Sequence, residues 1–185
     1  LAVSVKTRIG KEDPEEFYPL LEIFSKYPLT ELIIHPRVQT DFYQNRPNLE
    51  VFARALSHTK IPVCYNGDLF TRGLCEKFTD RFPEIDTLMI GRGLIRNPAL
   101  VRELQGGKRL EKEELQAFHD DLLAAYETVL SGDRPVLFKM KELWFYMGSL
   151  FEDGKKQLKA IKKAQSCLEY KAAAENLFST ARFII

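Results

Sequence analysis

The stretch Leu88–Leu100, LMIGRGLIRNPAL, runs from an apolar segment into Gly-Arg-Gly and then into an Asn-Pro pair able to start a helix. A strand that turns sharply explains Gly91 and Gly93, because glycine tolerates the backbone angles of a tight turn. It does not explain Arg92. An anion at the strand end explains all three: the glycines let backbone N–H groups approach it closely, and the guanidinium adds a charge-assisted donor. A helix that starts just beyond adds its dipole.

Working outward, the same strand-then-helix pattern occurs four times before residue 107. LAVSVKTR is followed by PEEFYPLLEIFSKY, ELIIHPR by a helix around Leu49–Ser57, IPVCYNGD by TRGLCEKFTDRF, and DTLMIGRG by NPALVREL. Short β-rich runs alternating with amphipathic helices are βα units, and they imply a parallel sheet. Lys6, His35, Asn66 and Gly91 recur at intervals of 29, 31 and 25 residues, each at the end of its strand. Parallel α/β sheets and barrels place their ligand sites at that edge, and barrels often build a phosphate site in the loops after their last two strands.

Beyond Gly106-Gly107 the texture turns helical. Leu115, Phe118, Leu122, Tyr126 and Val129 recur at helical spacing, as do Val136, Met140, Leu143, Met147 and Leu150. KKQLKAIKKAQSCLEY and KAAAENLFSTARF predict two further helices, which makes the second part an all-helical bundle. The composition shift places a domain boundary near 106–110, giving an α/β domain over 1–107 and a helical domain over 108–185. From Gly132 to Ile185 there are ten Lys and Arg against six Asp and Glu, a local net of +4. Lys155, Lys159, Lys162 and Lys163 share one helical face. Such a face serves either as a solvated surface or as a contact for a phosphate backbone.

The chain as a whole is nearly neutral, with 27 basic and 26 acidic residues, so global charge does not mark a nucleic-acid binder. Its 185 residues, 45% hydrophobic, are enough for a substantial core in one or two domains. Cys64, Cys75 and Cys167 form no C-x-x-C pair, which argues for a reducing, cytoplasmic setting and against a structural zinc site. No apolar run reaches the roughly 18 residues of a membrane helix. The first residues, Leu1–Val5, already read as strand, as expected of a chain that begins inside a domain.

Alternation along the strands then sorts the polar residues. Val3, Val5 and Thr7 share one face, and Lys6 and Arg8 point to the other. The same parity turns Ile33, His35 and Arg37 inward from the second strand, and Cys64, Asn66 and Asp68 from the third. Taken singly, each has a structural explanation: strand-end histidines are often satisfied within the fold, Asn-Gly-Asp is an ordinary turn, and Cys64 fills volume. All four strands ending in polar or glycine groups at one edge points instead to a site.

These residues resemble the tRNA-dihydrouridine synthases, flavin enzymes with an FMN-binding (β/α)8 barrel and a helical C-terminal domain. SVKTRIG, IIHPR, IPVCYNGD, LMIGRGLIRNP and, more loosely, FKMKELWFY carry the resemblance in the family's order. It implies that residues 1–107 are the C-terminal half of a TIM barrel, four βα units, and that 108–185 bind tRNA. It implies further that Lys6 lies beside the flavin's pyrimidine edge, and that His35 contacts the cofactor from the next strand. Asn66, Gly67 and Asp68 line the ribityl-phosphate side, while Gly91 and Arg92 hold the phosphate. Arg8 and Arg37 are their neighbours. The implied reaction reduces uridine to 5,6-dihydrouridine in tRNA with FMN and NADPH, the target base leaving its stack to reach the flavin. The family's acid cysteine belongs to an Asn-x-x-Cys-Pro segment upstream of these strands. Here no catalytic acid and no metal ligand is assigned, and the fragment alone is expected to be inactive. The sequence also departs from the family's common pattern at Pro36, where glycine is frequent, and at Glu142, where histidine is. Open sheet edges make a homodimer of the chain an expectation. Two other readings are another FMN-binding TIM-barrel oxidoreductase acting on small molecules, and a non-catalytic RNA-binding module.

Overall fold

The computed structural model describes residues 1–185. Their contacts divide the chain into two units, residues 1–69 with 73–90, and residues 70–72 with 91–185. The contact boundary thus falls at Gly91, ahead of the change in composition at Gly106-Gly107.

The first unit is a four-stranded parallel sheet of β1 (Ser4–Arg8), β2 (Glu31–His35), β3 (Val63–Tyr65) and β4 (Thr87–Leu88), whose spatial order equals their order in the chain. Between the strands lie α1 (Phe17–Phe24), α2 (Leu49–His58) and α3 (Arg72–Arg81). Their starts are written in the sequence. Asp13 accepts the Glu15 N–H, Glu16 reaches back to the amides of residues 11–13, and Pro14 sits in the first turn. Asn48 caps α2 by accepting the Val51 N–H at 3.0 Å.

Register fixes which residues share a face. Val5 pairs with Leu32 and Leu32 with Val63, while Thr7 pairs with Ile34, Ile34 with Tyr65 and Tyr65 with Leu88. This face meets the helices: Tyr65 stacks on Phe78 at 3.8 Å, and Phe52 packs edge-on against Tyr65 and Phe82 at 5.0 and 5.2 Å. On the opposite face Lys6 pairs with Ile33 and Ile33 with Cys64, and Arg8 pairs with His35. The parity read from the sequence is the one the sheet adopts.

The second unit opens with two short helices, α4 (Arg92–Arg96) and α5 (Leu100–Leu104). The first helix therefore begins at the Gly-Arg-Gly itself, and the Asn-Pro starts the second. Asn97 Oδ1 accepts the Ala99 N–H, and Asn97 Nδ2 donates to the buried Glu103, which also accepts the Leu110 N–H, all at 2.9 Å. There follow α6 (Lys112–Val129), α7 (Asp133–Met147), α8 (Lys155–Lys163) and α9 (Cys167–Thr180). The apolar stripe of α6 packs as expected, with Leu115 buried and Phe118, Leu122 and Tyr126 half-buried against the core, although Val129 is exposed; His119 and Leu123 are buried beside it. Two expectations need correction here. The last two helices part at 164–166 rather than after Tyr170, with Ser166 accepting the Glu169 N–H. The bundle is not all helical: β5 (Phe151–Glu152) and β6 (Arg182–Phe183) form an antiparallel pair. Phe151 and Phe183 pack across it at 5.6 Å, and Arg182 pairs with Glu152 at 3.1 Å.

Candidate functional site at the strand ends

The inward face of the sheet collects one base and four charges. His35 and Arg37 are 5% and 2% exposed, and Arg37 lies just past the end of β2. A guanidinium so buried demands partners. Arg37 Nη1 and Nη2 donate to the two carboxylate oxygens of Asp68 at 2.9 and 2.5 Å, a bidentate pair. Its Nε donates to the Asn45 carbonyl at 2.5 Å, and Nη1 also reaches His35 Nε2 at 3.1 Å. Arginine can only donate, so His35 Nε2 is the acceptor and Nδ1 carries the proton.

That tautomer agrees with the local electrostatics. Burial first, then the charges of Arg8, Arg37 and Lys6, lower the His35 pKa to about 4, against which Asp68 pulls upward. His35 is neutral at pH 7. Because its folded pKa lies below the ordinary value of 6.5, it contributes stability above pH 6.5 that is lost as pH falls toward 4. We expect the stability difference between the wild type and His35→Asn, followed by urea unfolding, to be largest above pH 6.5 and to shrink down to pH 4. A difference that grows with acidification would contradict the neutral assignment.

Arg8 is spent on the loop after β2, donating to the carbonyls of Val38 at 2.8 Å and Phe42 at 3.2 Å. With Arg37 it clamps residues 37–45 in place and holds Phe42 at a positive φ of 48°. The loop presents Tyr43, whose ring is 6.2 Å from His35 and within 5.5 and 6.0 Å of the Arg8 and Arg37 guanidinium carbons. The sequence reading did not single out Tyr43; aromatic residues in an irregular loop carry no periodic signal. Lys6, exposed on the same face, makes no hydrogen bond or ion pair within the chain.

At the end of β3, the Asn66 side chain donates to the Met89 carbonyl at 2.8 Å, tying β3 to the end of β4 and leaving its oxygen as an acceptor. Gly67 has a packing reason of its own, since a Cβ there would lie 2.7 Å from the Tyr65 hydroxyl. Asp68 takes a left-handed φ of 46° as it turns toward Arg37. Burial raises the Cys64 pKa to about 11, so its thiol stays protonated and inert. The sheet unit thus brings Lys6, His35, Asn66, Gly67 and Asp68 to its strand ends. Gly91 and Arg92 begin the other unit. Arg92 lies over the Phe70 ring at 5.2 Å, and a Cβ built on Gly91 meets nothing within 4 Å, so packing gives no reason for a glycine there.

The chain is therefore an α/β protein in which a parallel sheet unit with polar groups at its strand ends is followed by a mainly helical unit. The sequence profile described as dihydrouridine synthase (Dus) matches residues 1–179, and the chain belongs to that family. It is 26% identical over 112 residues to a tRNA-dihydrouridine(16) synthase of Pseudomonas syringae pv. tomato, covering 60% of this chain and 35% of the relative. A tRNA-dihydrouridine(16) synthase of Yersinia pestis is 30% identical over 106 residues, 55% of this chain and 33% of its own length. A probable tRNA-dihydrouridine synthase 2 of Bacillus subtilis is 30% identical over 132 residues, 68% and 40%. The chain spans about a third of the length of the curated relatives it matches. No helix is long and apolar enough to cross a membrane.

Proposed function

We propose that the chain is the C-terminal portion of a tRNA-dihydrouridine synthase that reduces uridine to 5,6-dihydrouridine in tRNA with FMN and NADPH. The observation that carries this reading is the register that lines Lys6, Arg8 and His35 on one face of a parallel sheet. Strand order supports it too. The strands follow one another without the reversal of a doubly wound sheet, as successive staves of a (β/α)8 barrel do.

The residues present fit a flavin nucleotide. Lys6 is the cation of this face without a protein partner, suited to the electron-rich pyrimidine edge. His35 offers a neutral N–H from Nδ1. Asn66 keeps an acceptor for a ribityl hydroxyl, Gly67 keeps the backbone low, and the charge of Asp68 is balanced by Arg37. Gly91 and Arg92 are assigned the phosphate, consistent with a glycine that packing does not require. When bound, FMN would supply the hydride; the chain's own part is to orient the ring and stabilise negative charge on it.

The test is a titration of FMN fluorescence by the purified chain. Weak quenching is expected from the wild type, and Lys6→Gln should weaken it by about ten-fold, the worth of one charge-assisted hydrogen bond. Equal affinities would remove Lys6 from the site. With NADPH and tRNA added, the chain alone is expected to give no dihydrouridine.

A further inference from the structure

We propose that the groove between α7 and α8 is a docking site for unstacked bases of a single-stranded RNA segment. The inference rests on the proposed RNA substrate but concerns the helical unit alone. The groove encloses about 710 Å³ and is lined by Phe138, Trp144, Phe145, Leu158 and Ile161, with Lys141, Lys162 and Glu142 at its edge. Trp144 and Ile161 are buried and form its floor. Phe138 and Phe145 are 69% and 83% exposed. Seven residues apart, they stand on one face of α7, two turns from each other. Two phenylalanines held in water at helical spacing are not needed for the core, which Val136, Met140, Trp144 and Met147 of the same helix already serve.

Charge says what covers them. Lys162 belongs both to this edge and to the exposed row Lys155, Lys159, Lys162 and Lys163 along α8. Lys139 lies 5.9 Å from the Phe138 ring. Lys141 Nζ donates to the Ala164 carbonyl at 2.5 Å, which ties α7 to the end of α8 beside the groove. Aromatic faces beside a track of cations match a strand whose bases stack while its phosphates follow the lysines. A double helix hides its bases and would leave the phenylalanines in water. Glu142, the one acid of the lining, offers an acceptor to base N–H groups and disfavours a phosphate at the groove centre.

The experiment uses the 185-residue chain, a fluorescein-labelled oligouridylate and a duplex RNA of equal length, followed by anisotropy across a salt series. The single strand is expected to bind more tightly than the duplex. Phe138→Ala and Phe145→Ala should each weaken it at least about five-fold with an unchanged salt dependence, since stacking is lost and no phosphate contact is. Lys162→Gln should instead lower the salt slope by about 0.7. Both phenylalanines are exposed, so circular dichroism and melting should not change. The proposal is overturned if the chain ignores the single strand, if Phe145→Ala binds as wild type does, or if sedimentation shows a dimer that Phe145→Ala dissociates, which would give the groove to a second copy. FMN titration through Lys6 does not touch α7, so failure here leaves the flavin reading standing.

Discussion

Asp68→Asn is expected to cost the sheet unit about 3 kcal/mol in urea unfolding, the usual scale for stripping one partner from a buried ion pair. Asparagine keeps the shape of the side chain and tolerates the left-handed φ of 46° at this position. Only the charge is removed. Arg37 would then sit 2% exposed, its guanidinium facing a neutral amide that can accept one hydrogen bond where the carboxylate accepts two. The reverse substitution is less revealing. Arg37→Ala leaves a carboxylate that is 30% exposed and can be rehydrated, although it also frees the Asn45 carbonyl and empties a large buried volume. A loss below about 1 kcal/mol for Asp68→Asn would place the pair among ordinary surface bridges and would weaken the view that it sets the loop after β2.

The second large effect is expected in the helical unit. Trp144 Nε1 donates to the Tyr170 hydroxyl at 2.6 Å, and that hydroxyl donates to His119 Nε2 at 2.7 Å, because in a neutral ring whose Nδ1–H faces the Asp120 carboxylate Nε2 is the acceptor. His119 Nδ1 then donates to Asp120 at 2.8 Å. Burial lowers the His119 pKa and so favours the neutral ring this relay needs. Tyr170→Phe keeps the ring and deletes the oxygen, leaving an indole N–H and an imidazole nitrogen unpaired in the core. At about 1–3 kcal/mol for each orphaned group, the expected loss is about 3 kcal/mol. Trp144 is the only tryptophan, so its emission reports the unfolding of this core directly. A loss near zero would mean that water or a shifted side chain satisfies both groups.

Much of the sheet unit was legible because two simple periods govern it. In a parallel sheet the register preserves parity, so a period of two places Lys6, Ile33, His35 and Cys64 on one face before any coordinates are known. The break between α8 and α9 was legible as well, though missed. Ser166-Cys-Leu-Glu169 is the pattern of a capping box, and Glu169 does reach back, accepting the Gln165 N–H at 2.8 Å. What the sequence could not show depends on contacts distant along the chain. Arg8 and Arg37 read from position only as neighbours of the site, and the contacts that occupy them, loop carbonyls and Asp68, were not visible. Burial of His119 beside the apolar stripe of α6 was not visible because its partner lies 51 residues away, on α9. The pair β5–β6 has two residues per strand, too few for any period to be visible.

Successive strand ends of this chain are proposed to hold one flavin nucleotide. Amide chemical-shift mapping of the isotope-labelled chain with FMN, repeated with riboflavin, tests it most directly, because weak binding is still seen residue by residue. The expected result is a set of FMN-dependent shifts at Lys6, His35, Asn66, Gly67 and Asp68 that riboflavin largely reproduces. Further shifts at Gly91 and Arg92 should appear only when the phosphate is present. Shifts scattered over α6 and α9, or none at the strand ends at saturating FMN, would contradict it.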